Sequence, residues 1–175
     1  MILFIVGLRR SGTTVFWRIF RQDNRFTCYD EPFNPLLREI PDRHFKKTRD
    51  ELIEIYYEDP EQFKNYFTPI SPVDELTNEF SSTQIEYLNY LTGFGDKNHY
   101  VIDLTRCHFK LETLHKHFPD SYLIHLHKAP ASFASSHLIP SYKRLPKISR
   151  KIRQSIDKLF FFSRRANFNR WKMED

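Results

Sequence analysis

Cysteine is scarce in this chain. Cys28 and Cys107 are the only two among 175 residues, and they stand too far apart in sequence to frame a disulfide-stapled fold. That fits a reducing compartment, or thiols with no structural task. Long apolar runs are missing as well. The hydrophobic start at Met1 has no basic segment before it and ends after about six residues, short of a signal core or a membrane span. A soluble or cytoplasmic domain without signal peptide or transmembrane segment is therefore expected. No internal repeat or low-complexity tract appears. Nor does a cluster with metal-ligand spacing: His125 and His127 share a strand face but have no third ligand nearby, so packing or hydrogen bonding is their expected role and no metal is expected.

What is present suffices for a core. With 40% hydrophobic and 16% aromatic residues, the 175 residues fit a single domain, 1–175. The net charge of +5 hides an asymmetry. Residues 143–175 hold eleven Lys and Arg against three acids, a net +8, which leaves −3 for residues 1–142. This basic tail reads as helical. It suits the flank of an anionic ligand, a nucleic acid or a lipid surface, with a solvated helix face as the plain alternative.

The first twenty residues organise the rest. Ile2-Leu3-Phe4-Ile5-Val6 reads as a parallel strand covered on both faces. Gly7-Leu8-Arg9-Arg10-Ser11-Gly12-Thr13-Thr14 breaks the run, and Val15, Phe16, Ile19 and Phe20 resume at helical spacing. A strand feeding a helix through such a loop aims unpaired amides and the helix dipole at an anion. The spacing nearly matches G-x-x-x-x-G-K-[ST], but Thr13 stands where the lysine belongs, and Arg9 and Arg10 bring the charge instead. That disfavours a magnesium-nucleotide kinase. A tight turn without ligand is the plain alternative.

Further along, 25–29 reads as a second strand, and the two prolines of Asp30-Glu31-Pro32-Phe33-Asn34-Pro35 place Glu31 at its carboxyl end. A carboxylate at that edge is a candidate general base; capping a following turn is its other reading. Residues 44–95 read as a mostly helical insertion, with helices at 50–57, 60–67 and 81–91, the last capped by Ser81. Its aromatics Phe63, Tyr66, Phe67, Phe80, Tyr87 and Tyr90 are expected in the core, with stacking on an acceptor as the alternative. Gly93 to Asp96 reads as a turn. Residues 99–105 and 122–127 read as strands around a helix ended by Pro119, the last strand alternating as a half-buried one would. The strand-helix-strand alternation predicts an α/β fold, a three-layer sandwich around a parallel sheet. Past the last strand, Lys128 and Ser136 stand eight residues apart, about two helical turns. They could grip one anion together.

These pieces resemble the sulfotransferases that use 3′-phosphoadenosine 5′-phosphosulfate. Arg10-Ser11-Gly12-Thr13-Thr14 resembles their 5′-phosphosulfate loop, and the run from Leu126 through Lys128 to Ser136 their 3′-phosphate strand-loop-helix, R-D-P-R-x-x-x-x-S. Asp30-Glu31-Pro32-Phe33 is similar to the Glu-Pro element of carbohydrate and tyrosylprotein sulfotransferases. The resemblance implies a P-loop-like nucleotide-hydrolase fold. It implies that Arg9, Arg10, Ser11, Gly12, Thr13 and Thr14 hold the 5′-phosphosulfate, that Lys128 and Ser136 hold the 3′-phosphate, and that Glu31 is the catalytic base with Arg10 beside it. The donor would leave as adenosine 3′,5′-bisphosphate, and the acceptor would carry a hydroxyl, with a glycan first, ahead of a tyrosine or a small alcohol.

Departures from the pattern are also visible. Lys128 replaces an arginine and loses its fork geometry, and Ala129 and Ala131 replace a frequent Asp/Asn and Arg. Asp103 falls near the place of a lysine beside the leaving phosphate, so Arg106 or Arg9 would have to bring that charge. Members of the family commonly continue further, which makes this chain a fragment or a short member, with Phe160-Phe161-Phe162 as a packing surface if truncated. A P-loop nucleotide kinase and a non-catalytic anion- or nucleic-acid-binding module are the other classes; nucleic acid is not the expected partner.

Overall fold

The computed structural model describes residues 1–9, 11–40, 50–94 and 98–130. The chain divides into two compact units, Met1–Lys128 and Ala129–Asp175, and the architecture described is that of the first. At its centre, Ile2–Gly7 (β1) bonds in parallel to Tyr100–Leu104 (β3) on one side and to Tyr122–Leu126 (β4) on the other. Thr27–Asp30 (β2) joins the far side of β3, giving the order β2-β3-β1-β4. The α/β fold with a central parallel sheet is the one expected from the sequence.

A strand bonded on both edges and covered on both faces needs an apolar side chain at every position. β1 supplies them: Leu3 and Ile5 pack with Trp17, Cys28 and Val101, while Phe4 and Val6 join the larger core on the opposite face. Thr13–Arg21 (α1) covers the first face through Trp17, which is fully buried. The second face takes Asp50–Glu58 (α2), Pro60–Tyr66 (α3), Ser82–Gly93 (α4) and Leu111–His117 (α5), whose Leu52, Ile55, Phe63, Leu88, Leu91 and Leu114 lie in the core with Phe4. The two cysteines are free, buried thiols, one in each core.

This arrangement positions the site. α1 carries the chain from β1 to β2 over one face, and α5 carries it from β3 to β4 over the other. The adjacent carboxyl ends of β1 and β3 therefore send their loops to opposite faces, which opens the crevice where open α/β sheets take ligands.

Local signals behave as expected at several ends. Ser81 caps α4 in a reciprocal capping box with Gln84, and Asp59 caps α3 ahead of Pro60. Other boundaries differ. β2 begins at Thr27 rather than Arg25, because Arg25 folds back onto Asp23 in a turn closed by Phe26 N–H to Asp23 O. Helix α4 runs on through Gly93 rather than turning there. β4 is exposed to half-buried along its length instead of alternating, since it is the outer strand beside β1. Among the described residues no helix is long and apolar enough to cross a membrane.

The aromatics of the helical segment pack on one another. Phe63, Phe80 and Tyr87 are buried, and the exposed Tyr66 stacks on Tyr90 with ring centres 4.6 Å apart. At the head of α5 the wholly buried Lys110 donates to Thr77 O (2.8 Å), Thr77 Oγ1 (2.5 Å) and Glu79 O (2.5 Å), and Thr113 Oγ1 donates to Asn78 O (3.0 Å). These bonds fasten the stretch 77–79 to α5. Lys110→Met removes a charged donor from two backbone carbonyls and should cost about 2–3 kcal/mol, read as a lower urea midpoint at unchanged slope. A loss under roughly 0.5 kcal/mol, the scale of ordinary surface changes, would show that this fastening carries no weight.

Candidate functional site

The loop after β1 is shaped by its two glycines. A Cβ on Gly7 would stand 2.6 Å from Ser11 Oγ and 3.0 Å from Leu126 O, so only glycine lets the loop fold back on the strand end. Gly12 takes φ 107° at the head of α1, a conformation that side chains disfavour. No side chain caps this helix: Val15 and Phe16 N–H donate to Gly12 O, and the amides ahead of them have no side-chain acceptor among the described residues. Ser11 Oγ is buried and has no hydrogen-bond partner among the described residues. An uncapped helix start beside an orphaned hydroxyl is the donor set an anion would satisfy. Thr13 is buried and Thr14 half-buried on the first turn. Arg10 lies outside the described residues.

Glu31 follows β2 directly, with φ 49°, which a non-glycine residue adopts only when its surroundings hold it there. Its N–H donates to Asp103 O (3.1 Å), continuing the β2–β3 ladder by one step, and its C=O accepts from Asn34 N–H (3.0 Å). The carboxylate is pinned at both oxygens: Thr105 Oγ1 donates to Oε1 and Asn34 Nδ2 to Oε2, each at 2.8 Å. Glu31, Asp103, Thr105 and Arg106 line one narrow cleft with Pro32 and Phe33. The prolines were legible as placing Glu31 at the strand end; Thr105 and Asn34 were not legible as its partners.

Beneath Glu31 lies Asp103, wholly buried and in register with Asp30 across the β2–β3 pair. Burial pushes its carboxyl up to about 8, the Asp30 and Glu31 charges push the same way, and the nearby Thr13 hydroxyl pulls back. Neither Asp103 oxygen makes a hydrogen bond of ordinary geometry. At pH 7 this acid is mostly protonated, so it brings neither a cation nor a full negative charge to the crevice.

The charge comes from elsewhere. Arg9, in the β1 loop, donates from Nη2 to Glu75 Oε1 at 2.5 Å, and Arg106, after β3, donates from Nη1 to the same oxygen. Glu75 is buried, Arg106 is 13% exposed and Arg9 46%. Glu75 was not singled out in the sequence, and nothing in the letters around it signals this role. His108 also faces the region: burial lowers its pKa first, then the charges of His125 and Arg9. The His125 and His127 rings lie 4.0 Å apart, and among the described residues no group of three or more His, Cys, Asp or Glu could hold a metal ion.

On the other side of β1, Gly7 pairs with Leu126, so Lys128 leaves the sheet at the same edge as the β1 loop and is half-buried there. Ser136, the second residue of that grip, lies outside the described residues, as does the basic tail.

The model of the sulfotransferase family matches residues 3–171. No curated protein and no solved structure gives a significant match.

Asp103 has a measurable signature. Between about pH 4 and pH 8 the native state keeps a proton that the unfolded chain releases, so this group lowers stability as pH rises through that window. Asp103→Asn removes the effect. Its stability relative to the parent should grow from pH 4 to pH 8, by on the order of a few kcal/mol, and then level off. Parallel stability curves across that range would show that Asp103 does not titrate there.

Proposed function

The chain belongs to the sulfotransferase family, and from that premise we propose that it transfers the sulfuryl group of 3′-phosphoadenosine 5′-phosphosulfate to a hydroxyl, on a P-loop-like fold. The observation that carries this reading is the uncapped start of α1 with Ser11 Oγ buried beside it and unpartnered among the described residues. In the proposed site Arg9, Arg10 and the loop from Ser11 to Thr14 hold the 5′-phosphosulfate, and Lys128 with Ser136 the 3′-phosphate. The donor supplies the sulfuryl group and leaves as adenosine 3′,5′-bisphosphate, and the scheme asks for no metal.

The chain's own residues then have two tasks. Loop amides and guanidinium groups stabilise the negative charge that gathers on the bridging phosphate oxygen as its bond to sulfur breaks. Glu31 takes the acceptor's proton as the oxygen–sulfur bond forms, a help because a hydroxyl is a weak nucleophile at neutral pH. Attack is in line, by analogy with phosphoryl transfer. Two neutral donors hold the Glu31 carboxylate in one plane, which suits a base that must meet an incoming hydroxyl at fixed distance. A sugar hydroxyl is the acceptor we favour, because Glu31-Pro32 is similar to the element of carbohydrate sulfotransferases.

Calorimetric titration with adenosine 3′,5′-bisphosphate tests the ligand class. Magnesium-independent binding is expected; binding that requires magnesium would move the chain to the nucleotide kinases. Glu31→Gln should retain that affinity within about twofold while sulfate transfer in a glycan screen falls by about 100-fold or more, the scale of lost general-base catalysis. Equal turnover by the variant would remove Glu31 from the role.

A further inference from the structure

Glu75 is a buried acid that joins two cations from opposite walls of the crevice. Arg9 comes from the loop that leaves β1 toward α1, and Arg106 from the loop that leaves β3 toward α5. Both guanidinium groups donate to a single oxygen, Glu75 Oε1. Two like charges do not converge unaided, because their repulsion at such range in a partly buried place is worth several-fold more than in water. A carboxylate between them reverses the sign of the interaction.

The direction of control follows from what holds each partner. Glu75 sits in a short turn, Asp74–Leu76, that is fastened without help from either arginine. Ser71 Oγ donates to Asp74 Oδ2 (2.7 Å), Thr77 Oγ1 donates to Asp74 O (2.9 Å), and Lys110 anchors Thr77 and Glu79 from α5. Glu75 itself is 2% exposed. The arginines are long side chains on loops, tied to this turn through Glu75 Oε1. Among the described residues Arg106 Nε is buried without a hydrogen-bond partner, and the residue borders a space, lined also by Glu31 and Thr105, that is too tight for a water.

We infer that Glu75 is a positioning residue that sets Arg9 and Arg106 as one paired cation across the β1–β3 crevice, and that this pair meets the phosphosulfate end of the donor where Asp103 brings no cation. The inference rests on the donor site proposed above. It assigns to two loop arginines, aimed by a third element, the charge a strand lysine would otherwise bring.

The test is a double-mutant cycle on the full chain, read by calorimetric titration with adenosine 3′,5′-bisphosphate and by melting temperature. Parent chain that fails to bind takes down the donor-site reading and this inference with it. Given binding, Glu75→Gln and Arg106→Ala should each raise Kd about tenfold, the scale of a lost charge-assisted hydrogen bond, and the double variant no further than either alone. Free guanidinium added to Arg106→Ala should recover part of the affinity, and should not do so once Glu75 is Gln, a dependence that a merely structural ion pair would not produce. Unchanged Kd in Glu75→Gln, additive losses, or tighter binding from removal of a negative charge would each overturn the inference while leaving the donor site standing. Should Glu75→Gln fail to fold, Arg9→Lys and Arg106→Lys decide the matter. Both retain charge but not the fork, so about tenfold weaker binding supports the aimed pair and unchanged Kd overturns it.

Discussion

The rest of the structure depends on the burial of β1. Ile2–Gly7 is bonded to β3 and β4 and covered on both faces by separate cores, so its position and register have no slack. Burying a side chain such as Phe4 or Ile5 is worth about 1.5–3 kcal/mol, and a slip of one residue would trade the two cores against each other at every position. That rigidity is passed to the loop that follows. Gly7 must lie against Leu126 O and Ser11 Oγ, and Gly12 must turn the chain into α1, because the strand end leaves no alternative path.

An anion site built at this edge faces an electrostatic difficulty. Asp30, Glu31 and Asp103 cluster at the carboxyl ends of β2 and β3, and Glu75 reaches in from outside. Four carboxylates would repel an anion placed among them. The structure reduces that charge in two ways. Burial keeps Asp103 protonated near neutral pH, and Glu75 is outnumbered by its two arginines. At Glu31, Thr105 and Asn34 each donate to one carboxylate oxygen and orient the group at the cleft.

What the sequence made legible followed from local period and punctuation. The apolar run of β1, the Gly7 and Gly12 boundaries of its loop, the capping of α4 by Ser81 and the prolines behind Glu31 each act within a few residues, so pattern alone reveals them. The partners of Glu31 and of the arginines are of another kind. Thr105 is 74 residues from Glu31, and Glu75 is 66 from Arg9 and 31 from Arg106. Such contacts exist only once β2, β3 and β1 lie side by side, and no spacing rule connects a lone Thr or Glu to a partner that far away. Asp103 was visible as a departure from a lysine, but its protonated state depends on complete burial opposite Asp30, which only the sheet order establishes.

The source of positive charge then has a geometric reason. A cation at position 103 would be enclosed between β1 and β2, at a place with 0% exposure, where desolvation opposes its charge while Asp30 and Glu31 favour it. Loop arginines avoid that penalty. They lie on loops rather than within the sheet, with 13% of the Arg106 side chain and 46% of the Arg9 side chain exposed. Flexibility is the disadvantage of loops, since each long side chain carries about 2 kcal/mol of rotamer entropy. A buried carboxylate on a turn fastened to α5 restrains both at once. The two loop arginines thereby have an aim that an untethered surface arginine lacks.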